Sequence, residues 1–427
     1  MRFIHAADIH LDSPLTGLSA YPDAPVELLR TATRDAFDKL VTLAIDDAVD
    51  FMVIAGDLYD GTWKDFNTGI YFARQMGRLN AAGIPVYLLH GNHDAESEMT
   101  RRLSLPANVH VFPAARAATF ELPAFEVALH GRSFKHAATT EDLVPGYPAP
   151  RAGWFNIGVL HTALEGYAAH AAYAPCTLAE LHAKGYQYWA LGHVHEHQLW
   201  QADATIAFPG NLQGRNIRET GAKGALLVST DGDRVQSVEQ VFVDVLRWHR
   251  VAVDVSAARS LADASQRVGH ALDALLGADD SALPLAVRVR LHGRSAAHGE
   301  LFGLEAPLRA EVLAQAAAIA GDRLWIEKVV VDTQPLETAA ALAARGDAVA
   351  ELQAILAAAP ADDALLDALR ADFADLLAKL PLEIGHDALP QEIGHDAPRL
   401  QLVREGRLAE LVDATVPSLL ARVAAAE

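Results

Sequence analysis

Five apolar segments of this 427-residue sequence are followed at once by side chains that can ligate a metal ion or move a proton. The segments read FIHAADIH, FMVIAGDLYD, VYLLHGNHD, FNIGVLH and YWALGHVH. Because open α/β sheets build their ligand crevices at the carboxyl ends of the strands, we expect these polar residues to converge on one edge. They are Asp8, His10, Asp57, Asn92, His93, Asp94, His161, His193 and His195.

Taken one at a time, each group also has a structural explanation. The Asp8-x-His10 pair could form a turn, GNHD could connect a strand to a loop, and His161 could be a half-buried, hydrogen-bonded histidine. Together the candidate ligands comprise two aspartates, one asparagine and four histidines, with no thiolate. Such oxygen and nitrogen donors are typical of a two-metal site for Mn, Fe or Zn. We therefore expect two divalent ions, Mn²⁺ first among the candidates.

The segment GHVHEHQ places histidines at every second position, at residues 193, 195 and 197. This is the period of a strand, so all three could lie on one face. The residues alone leave two interpretations open: a metal site, or the polar side of an edge strand.

The elements that must position these residues are apolar strands separated by helices. Strands are expected at residues 3–7, 51–56, 85–89, 125–129, 155–160 and 188–191. Apolar residues three or four apart predict amphipathic helices from Val26 to Ile45 and from Phe66 to Leu79. The pattern indicates a layered α/β domain.

The pattern changes near residue 245. The segments WHRVAVDVS, LPLAVRVRLHG and RLWIEKVVVDT predict strands, with helices over 259–276 and 307–320 between them. The alternation of Val287, Val289 and Leu291 indicates that one face of this sheet is solvated or borders a groove. We expect a small α+β domain over residues 245–335.

Residues 336–427 are rich in alanine and leucine and are expected to be helical. One apolar stripe at helical spacing comprises Leu365, Leu366, Leu369, Phe373, Leu376, Leu377 and Leu380, and another comprises Leu408, Leu411, Val412, Leu419 and Val423. Such stripes form either core or a helical hairpin that binds a partner. Between them, EIGHDALPQ and EIGHDAPRL form a tandem duplication (383–391 and 392–400) whose glycine and proline content predicts a linker.

The ordered set D-x-H, GDLYD, GNHD, a lone histidine and GHVH resembles the calcineurin-like metallophosphoesterases over residues 1–230. HAADIHLDSPL and FPGNLQGRNIRETGAKGALLV are similar to the SbcD-like DNA repair exonucleases, especially their YhaO-like branch. The resemblance implies a four-layer α-β-β-α core, a two-sheet sandwich flanked by helices, over residues 1–244. A small α+β capping domain (245–335) and a helical C-terminal region (336–427) would follow.

The resemblance also assigns roles to the candidate residues. Asp57 would bridge the two ions, and His93 would stabilise or protonate the leaving oxygen, with Asp94 orienting its ring. One ion would be held by Asp8, His10 and His195, and the other by Asn92, His161 and His193. Outside this set, we expect His197 beside the site or on the surface, His90 in the core, and Asp12 as a further group that could orient His10.

Three arginines are candidates for contacts with a nucleic-acid backbone. Arg215 and Arg218 lie in the loop that carries the subfamily resemblance, and Arg101 follows GNHD. As phosphate contacts they would fix the register of the substrate, although a solvated surface explains each of them equally well.

The composition limits the class of protein. The formal net charge of −20 is the reverse of what nucleic-acid-binding proteins usually show, so a polyanionic substrate would need bound cations or clustered arginines. One cysteine, Cys176, is compatible with a reducing compartment. We expect a cytoplasmic protein that does not span a membrane, because the sequence shows neither a signal peptide nor an apolar run of about 18 residues.

These observations favour a metal-dependent DNA exonuclease, acting 3′ to 5′ by resemblance. It would work with an SbcC-like coiled-coil ATPase bound through the C-terminal helices, and the resemblance also implies a homodimer. One alternative is a phosphodiesterase acting on a small nucleotide, which the negative charge favours. Another is a non-catalytic scaffold for the ATPase.

Overall fold

A computed structural model describes most of the chain. It covers residues 1–13, 24–60, 66–96, 105–165, 173–302, 304–336, 341, 344, 348–378 and 398–424. The chain divides into two compact units, one comprising Met1–His249 with Ala282–Ala286, and the other comprising Arg250–Ser281 with Val287–Glu427. The tail that the sequence predicts as a third domain falls within the second unit.

The first unit contains two six-stranded sheets. The first sheet has the order β12-β11-β1-β2-β3-β4, in which β1 to β4 are parallel and β11 and β12 are antiparallel to their neighbours. Its strands are β1 (Arg2–Ala6), β2 (Phe51–Ala55), β3 (Val86–Leu89), β4 (Val109–Val111), β11 (Gly224–Asp231) and β12 (Arg234–Phe242).

The second sheet has the order β5-β6-β7-β8-β10-β9, with a parallel centre and one antiparallel strand at each edge. Its strands are β5 (Ala118–Leu122), β6 (Val127–Gly131), β7 (Phe155–His161), β8 (Tyr188–Gly192), β9 (Gln198–Gln201) and β10 (Thr205–Phe208). β6 starts two residues later than the sequence predicts, because residues 123–126 form the turn that follows β5, with Phe125 exposed.

Alternate residues of the central strands pack in opposite directions, as the pleat requires. In β1 and β2, Phe3 and Phe51 contact the core between the two sheets, whereas Ile4 and Met52 pack against the helices. The helices on that side are α1 (Val26–Asp46) and α2 (Phe66–Ala81). On the outer side of the second sheet, Trp189 and Leu181 belong to a further buried cluster, and Leu181 lies in α4 (Leu178–Ala183). These layers confirm the predicted two-sheet sandwich flanked by helices; a short helix α3 (Asn92–Glu96) follows β3.

The predicted β-α-β-α-β order follows, and all but the first few residues of two of its strands belong to the second unit. A three-stranded sheet has the order β13-β14-β15, formed by β13 (Arg247–Asp254), β14 (Leu285–Ser295) and β15 (Leu324–Pro335). Val287, Val289 and Leu291 are buried, whereas Arg290 on the other face is exposed. The intervening helices are α5 (Leu261–Ala278), α6 (His298–Leu301) and α7 (Glu305–Ala320).

Helices also dominate the described part of the tail. They are α8 (Ala348–Ala358), α9 (Asp363–Ala378), α10 (Pro398–Arg404) and α11 (Leu408–Ala424). In α11, Leu408 and Leu420 are buried, whereas Leu419 and Val423 of the predicted stripe are about 40% exposed, so the stripe is not entirely core. The apolar stripe on α9 is not fully buried either. Leu365 is exposed, and the half-buried residues are Leu366, Leu369, Phe373 and Leu377.

Nearly all of the EIGHDA duplication lies outside the described residues. Within the described part of the chain, no helix is long and apolar enough to cross a membrane.

Candidate metal centre

The candidate ligands lie where parallel strands of both sheets end. Asp8 follows β1, Asp57 follows β2, His161 ends β7 and His193 follows β8. The segments after β1 and β2 run side by side, with the Asp8 N–H donating to Gly56 O and the His10 N–H donating to Asp57 O, each at 3.0 Å. The strands therefore deliver the ligands from both sheets to one rim.

Four of these residues have a backbone in the left-handed region. The φ angle is 50° at Asp8, 46° at His10, 51° at Asp57 and 103° at His193. For a residue with a side chain, such a conformation costs about 1–3 kcal/mol and persists only where the surroundings enforce it. The concentration of strain at one rim is typical of a functional site.

The first group of ligand atoms belongs to Asp8, His10 and His195, and these atoms lie within 4.8 Å of one another. Nε2 of His195 lies 3.2 Å from Nε2 of His10 and 3.7 Å from Oδ1 of Asp8. Burial, together with the charge of Arg215, lowers the pKa of His10 to about 3, so its ring is neutral. Neutral imidazole is the form that ligates a metal.

The second group comprises Asp57, His161 and His193, whose ligand atoms also lie within 4.8 Å of one another. Nε2 of His161 lies 2.9 Å from Oδ1 of Asn92 and 3.4 Å from Oδ2 of Asp57. The two groups are joined directly, since the backbone N–H of His193 donates to both carboxylate oxygens of Asp8, at 2.9 and 3.1 Å.

The chemistry of the ligand atoms in both groups is suited to coordinating a cation. Nδ1 of His161 contacts Ala55 O at 2.9 Å and donates its hydrogen there, so in the neutral ring Nε2 points its lone pair at the oxygens of Asn92 and Asp57. Burial opposes a charge on His161, but the Asp57 carboxylate outweighs it and raises the pKa of His161 to about 9. The position therefore stabilises positive charge, which is what a divalent ion requires. Nδ1 of His10 is buried and lies 3.7 Å from Oδ1 of Asp60, beyond hydrogen-bond distance.

Three glycines leave the space that the ligands occupy. A Cβ at Gly56 would lie 2.5 Å from Nδ1 of His161. A Cβ at Gly91 would overlap the Asp57 carboxylate, and one at Gly192 would overlap Ala55 O. No side chain fits at these positions while the ligands keep their geometry.

The ring of His93 contacts Asp60, and this corrects the role that the sequence predicts for Asp94. Nδ1 of His93 lies 3.0 Å from Oδ1 of Asp60. Asp94 is buried, and its carboxylate instead accepts the backbone N–H groups of Leu58, Tyr59 and Gly91. Successive residues of a helix point about 100° apart, so the neighbour of His93 in sequence turns away from its ring.

Burial alone would lower the pKa of His93, but the hydrogen bond to Asp60 and the charges of Asp57 and Asp60 raise it to about 9. Its side chain is 40% exposed, compared with 23% for His195 and 19% for Asp60. His93 is therefore the most accessible of these side chains.

Two residues of the loop between β10 and β11 also belong to this region. Oε1 of Glu219 lies 2.8 Å from Nδ1 of His195, and Arg215 binds the same carboxylate. Although burial opposes it, Arg215 and His195 hold the pKa of Glu219 well below its usual range. The residue types and their spacing predict no role for Glu219 or Asp60; the one signal in the sequence is their position in the RNIRETG and GDLYD segments.

The structure describes most of the other residues that the sequence predicts at or near the site. Arg218 lies in the same loop and is half-buried, and Arg101 lies outside the described residues. The suggestion that Asp12 orients His10 is wrong, because its carboxylate binds Arg34 and Thr68. His197 is half-buried and contacts Phe208 O through Nδ1 at 3.0 Å.

The chain matches two protein families. Residues 1–197 match the calcineurin-like phosphoesterase family, and residues 248–334 match the middle domain of metallophosphoesterase YhaO.

Three known proteins are similar to this chain over more than half of its length. The uncharacterized metallophosphoesterase YhaO of Bacillus subtilis (strain 168) is 34% identical over 298 residues, covering 69% of this chain and 72% of that protein. The DNA double-strand break repair protein Mre11 of Sulfurisphaera tokodaii is 24% identical, covering 60% of this chain and 67% of that protein. Mre11 of Aeropyrum pernix is 28% identical, covering 62% and 66%. The chain belongs to the calcineurin-like metallophosphoesterases, a family of metal-dependent hydrolases, and within them to the YhaO-like proteins.

Proposed function

We propose that this protein is a two-metal phosphodiesterase that degrades DNA from an end, with 3′ to 5′ polarity and Mn²⁺ as the preferred ion. Asp57 would link the two ions. Asp8, His10 and His195 would hold one ion, and Asn92, His161 and His193 would hold the other.

The observation that carries this proposal is the pairing of two ligand groups at one rim. Each group brings three ligand atoms within 4.8 Å of one another, and the bond from the His193 N–H to Asp8 connects them. A third group, His10 with Asp60 and His93, meets the same distance criterion, but it shares His10 with the first group and is less buried. A one-metal site would not need the second set of buried carboxylate and imidazole groups.

When bound, two ions at such a site would supply positive charge for the phosphate and would lower the pKa of a bound water. Protonation of the leaving group is the task of a side chain of the protein. His93 is exposed toward solvent, is held by Asp60 and donates a proton to the oxygen that leaves the phosphorus. The His93 N–H also donates to Oδ1 of Asp57 at 3.0 Å, which ties the helix carrying His93 to the bridging carboxylate.

DNA as the substrate is supported by the Mre11 relatives, which are named as DNA double-strand break repair proteins. Bound dications would reverse the local field at the site and attract a polyanionic substrate there, although the net charge of −20 still repels it at long range. Arg218, and Arg101 outside the described residues, remain proposed contacts to the DNA backbone.

The test is hydrolysis of end-labelled single-stranded and duplex DNA in the presence of Mn²⁺. We expect cleavage by the wild-type protein and its loss in Asp57→Asn and His93→Ala. Activity that persists unchanged in both variants would remove this site from the reaction.

A small phosphodiester, such as a cyclic nucleotide, is the second candidate substrate. The strongly acidic chain favours it, because long-range repulsion affects a small ester less than a polymer. Comparing kcat/KM for bis-p-nitrophenyl phosphate, a cyclic nucleotide and an oligonucleotide separates the two. Preference for the oligonucleotide supports a nuclease.

We also propose that the C-terminal helices bind an SbcC-like coiled-coil ATPase. The support is the apolar face of α9, where Leu369 and Phe373 are only half-buried, and Ile355 on α8, which is 68% exposed. Leu369→Asp with Phe373→Asp should abolish co-purification with the ATPase and leave hydrolysis of bis-p-nitrophenyl phosphate intact. Retained association would exclude this face.

A homodimer formed through helices of the first unit is a further proposal. Phe66 and Ile70, one turn apart on α2, are each about half exposed. Sedimentation should show a dimer that Ile70→Asp converts to a monomer, whereas a monomeric wild-type protein would exclude it.

A further inference from the structure

Arg215 is not placed as a surface cation. Its side chain is 18% exposed and lies in the loop between β10 and β11, beside the rim where the candidate ligands converge. The guanidinium lies between two carboxylates that belong to different parts of the chain, Glu219 and Asp60. Each of these carboxylates holds a different histidine of the site.

On one side, Arg215 binds the carboxylate of Glu219 through three of its nitrogen atoms. Its Nη2 lies 2.8 Å from Oε1, its Nε lies 3.3 Å from Oε2, and its backbone N–H donates to Oε2 at 2.7 Å. Oε1 is the atom that accepts from Nδ1 of His195 at 2.8 Å. A carboxylate on Nδ1 fixes the tautomer and the plane of the ring, so that Nε2 faces the ligand group with Asp8 and His10.

On the other side, the guanidinium reaches Asp60. Nη1 of Arg215 lies 3.9 Å from Oδ2 of Asp60 and donates to Oγ of Ser13 at 3.4 Å. The Ser13 hydroxyl in turn donates to the same Oδ2 at 2.5 Å. The other oxygen of Asp60, Oδ1, contacts Nδ1 of His93 at 3.0 Å.

The loop that carries Arg215 is fixed to its surroundings. Asn211 donates from Nδ2 to Oε2 of Glu219 at 3.0 Å, and the indole N–H of Trp248 donates to Gly214 O at 2.8 Å. Lys223 donates to the backbone carbonyl of His195 at 2.8 Å. Because both ends of the loop are held, Arg215 keeps a fixed position relative to the two histidines.

We propose that Arg215 is a positioning residue that locks His195 and His93 into one arrangement, by clamping Glu219 on one side and Asp60 on the other. This inference deepens the proposed function and rests on it. It replaces the role of DNA-backbone contact that the sequence predicts for Arg215, because Nε, Nη1 and Nη2 are each already directed at groups of the protein.

The two roles give opposite results in Arg215→Gln. A phosphate contact would raise KM for an oligonucleotide and leave both Mn²⁺ affinity and turnover of bis-p-nitrophenyl phosphate unchanged. A positioning residue acts on both substrates through kcat, and it weakens Mn²⁺ binding through His195. Loss of an outer partner of a ligating histidine typically costs about 10–100-fold in metal affinity or activity.

Arg288→Gln is the matched control. Arg288 is 15% exposed and binds Glu327 through Nε and Nη2 at 2.7 and 2.6 Å, so it is as buried and as firmly paired as Arg215. It lies in the second unit, in β14. Its substitution reports what the loss of a buried arginine–glutamate pair does to the protein in general.

The experiment measures Mn²⁺ binding by calorimetry and steady-state kinetics on both esters. We expect about 10–100-fold weaker Mn²⁺ binding and a lower kcat on both substrates for Arg215→Gln, with Arg288→Gln close to wild type. Wild-type Mn²⁺ affinity with only a raised oligonucleotide KM would overturn the proposal, and so would an equal loss of affinity in Arg288→Gln.

If Arg215→Gln does not fold, Arg215→Lys takes its place, because lysine keeps the charge but cannot bind two carboxylates as a planar fork. It should show the same loss of affinity to a smaller degree; full wild-type behaviour would overturn the proposal. A wild-type protein that hydrolyses neither ester would refute the proposed function, while the Mn²⁺ titration would still test the clamp.

Discussion

Nδ1 of His93 lies 3.0 Å from Oδ1 of Asp60, a residue 33 positions away in the sequence, whereas the adjacent Asp94 binds backbone N–H groups. The anionic partner of His93, the proposed proton donor, therefore ends the GDLYD segment and not the GNHD segment. Two predictions separate the roles of these carboxylates.

Asp60→Asn should lower kcat and leave KM nearly unchanged, because the amide neither orients nor charges the His93 ring as the carboxylate does. The loss can reach the roughly 10²–10⁴-fold that a positioned proton donor contributes. Steady-state kinetics on bis-p-nitrophenyl phosphate measure it. An unchanged kcat would show that this contact does not serve the reaction.

Asp94→Ala should destabilise the first unit, because three buried backbone N–H groups lose their acceptor. At about 1–3 kcal/mol for each unpaired donor, the free energy of unfolding should fall by about 3 kcal/mol or more. Urea unfolding measures this.

The control for Asp94 is Asp142→Ala, which removes one acceptor from the Val144 N–H near the surface and should cost about 1 kcal/mol. Wild-type stability of Asp94→Ala combined with lost turnover would restore the catalytic role that the sequence predicts for Asp94.

Gly192→Ala should disrupt the ligand group that contains His161. The added methyl would overlap Ala55 O, which accepts from Nδ1 of His161, and it would lie 2.9 Å from that nitrogen. We expect the purified variant to bind less Mn²⁺, as measured by elemental analysis. Gly77→Ala is the matched control, because a Cβ there meets nothing within 4 Å in the middle of α2, and the change should stabilise the protein by up to about 1 kcal/mol.

Mn²⁺ should raise the unfolding temperature, and EDTA should lower it. An ion that binds only the folded state adds about 2.7 kcal/mol per site at a hundredfold excess over Kd. Asp57→Asn should remove most of the shift seen by differential scanning fluorimetry, because this carboxylate faces the ligand group of His161 and is proposed to bridge the ions. A shift of wild-type size in that variant would contradict the bridging role.

The sequence predicts the central strands well, because each is a short apolar run that ends in polar residues. β1, β2, β3, β7 and β8 start and end within one residue of the predicted bounds. The sequence did not predict the antiparallel edge strands β5, β9 and β12, which are partly exposed and carry mixed residues, so no apolar run marks them. It also did not predict the short strand β4 or the interior strands β10 and β11, although β10 and most of β11 are buried.

Partners of the site residues were harder to predict than the site residues themselves. Glu219 lies 24 positions from His195, and only the return of the chain beside β8 brings the two together. Arg215 has the residue type of a phosphate contact, and its burial between two carboxylates depends on how the loop folds. In α11 the helical period is correct, but the structure buries Leu420 and exposes Leu419, because the faces that neighbouring helices cover are set by tertiary packing.

The most direct measurement is the anomalous diffraction of crystals grown with Mn²⁺, recorded above and below the manganese absorption edge. The account predicts two peaks per chain, one among Asp8, His10 and His195 and the other beside His161, His193 and Asn92, with Asp57 contacting both. A single peak, or peaks away from these residues, would contradict it.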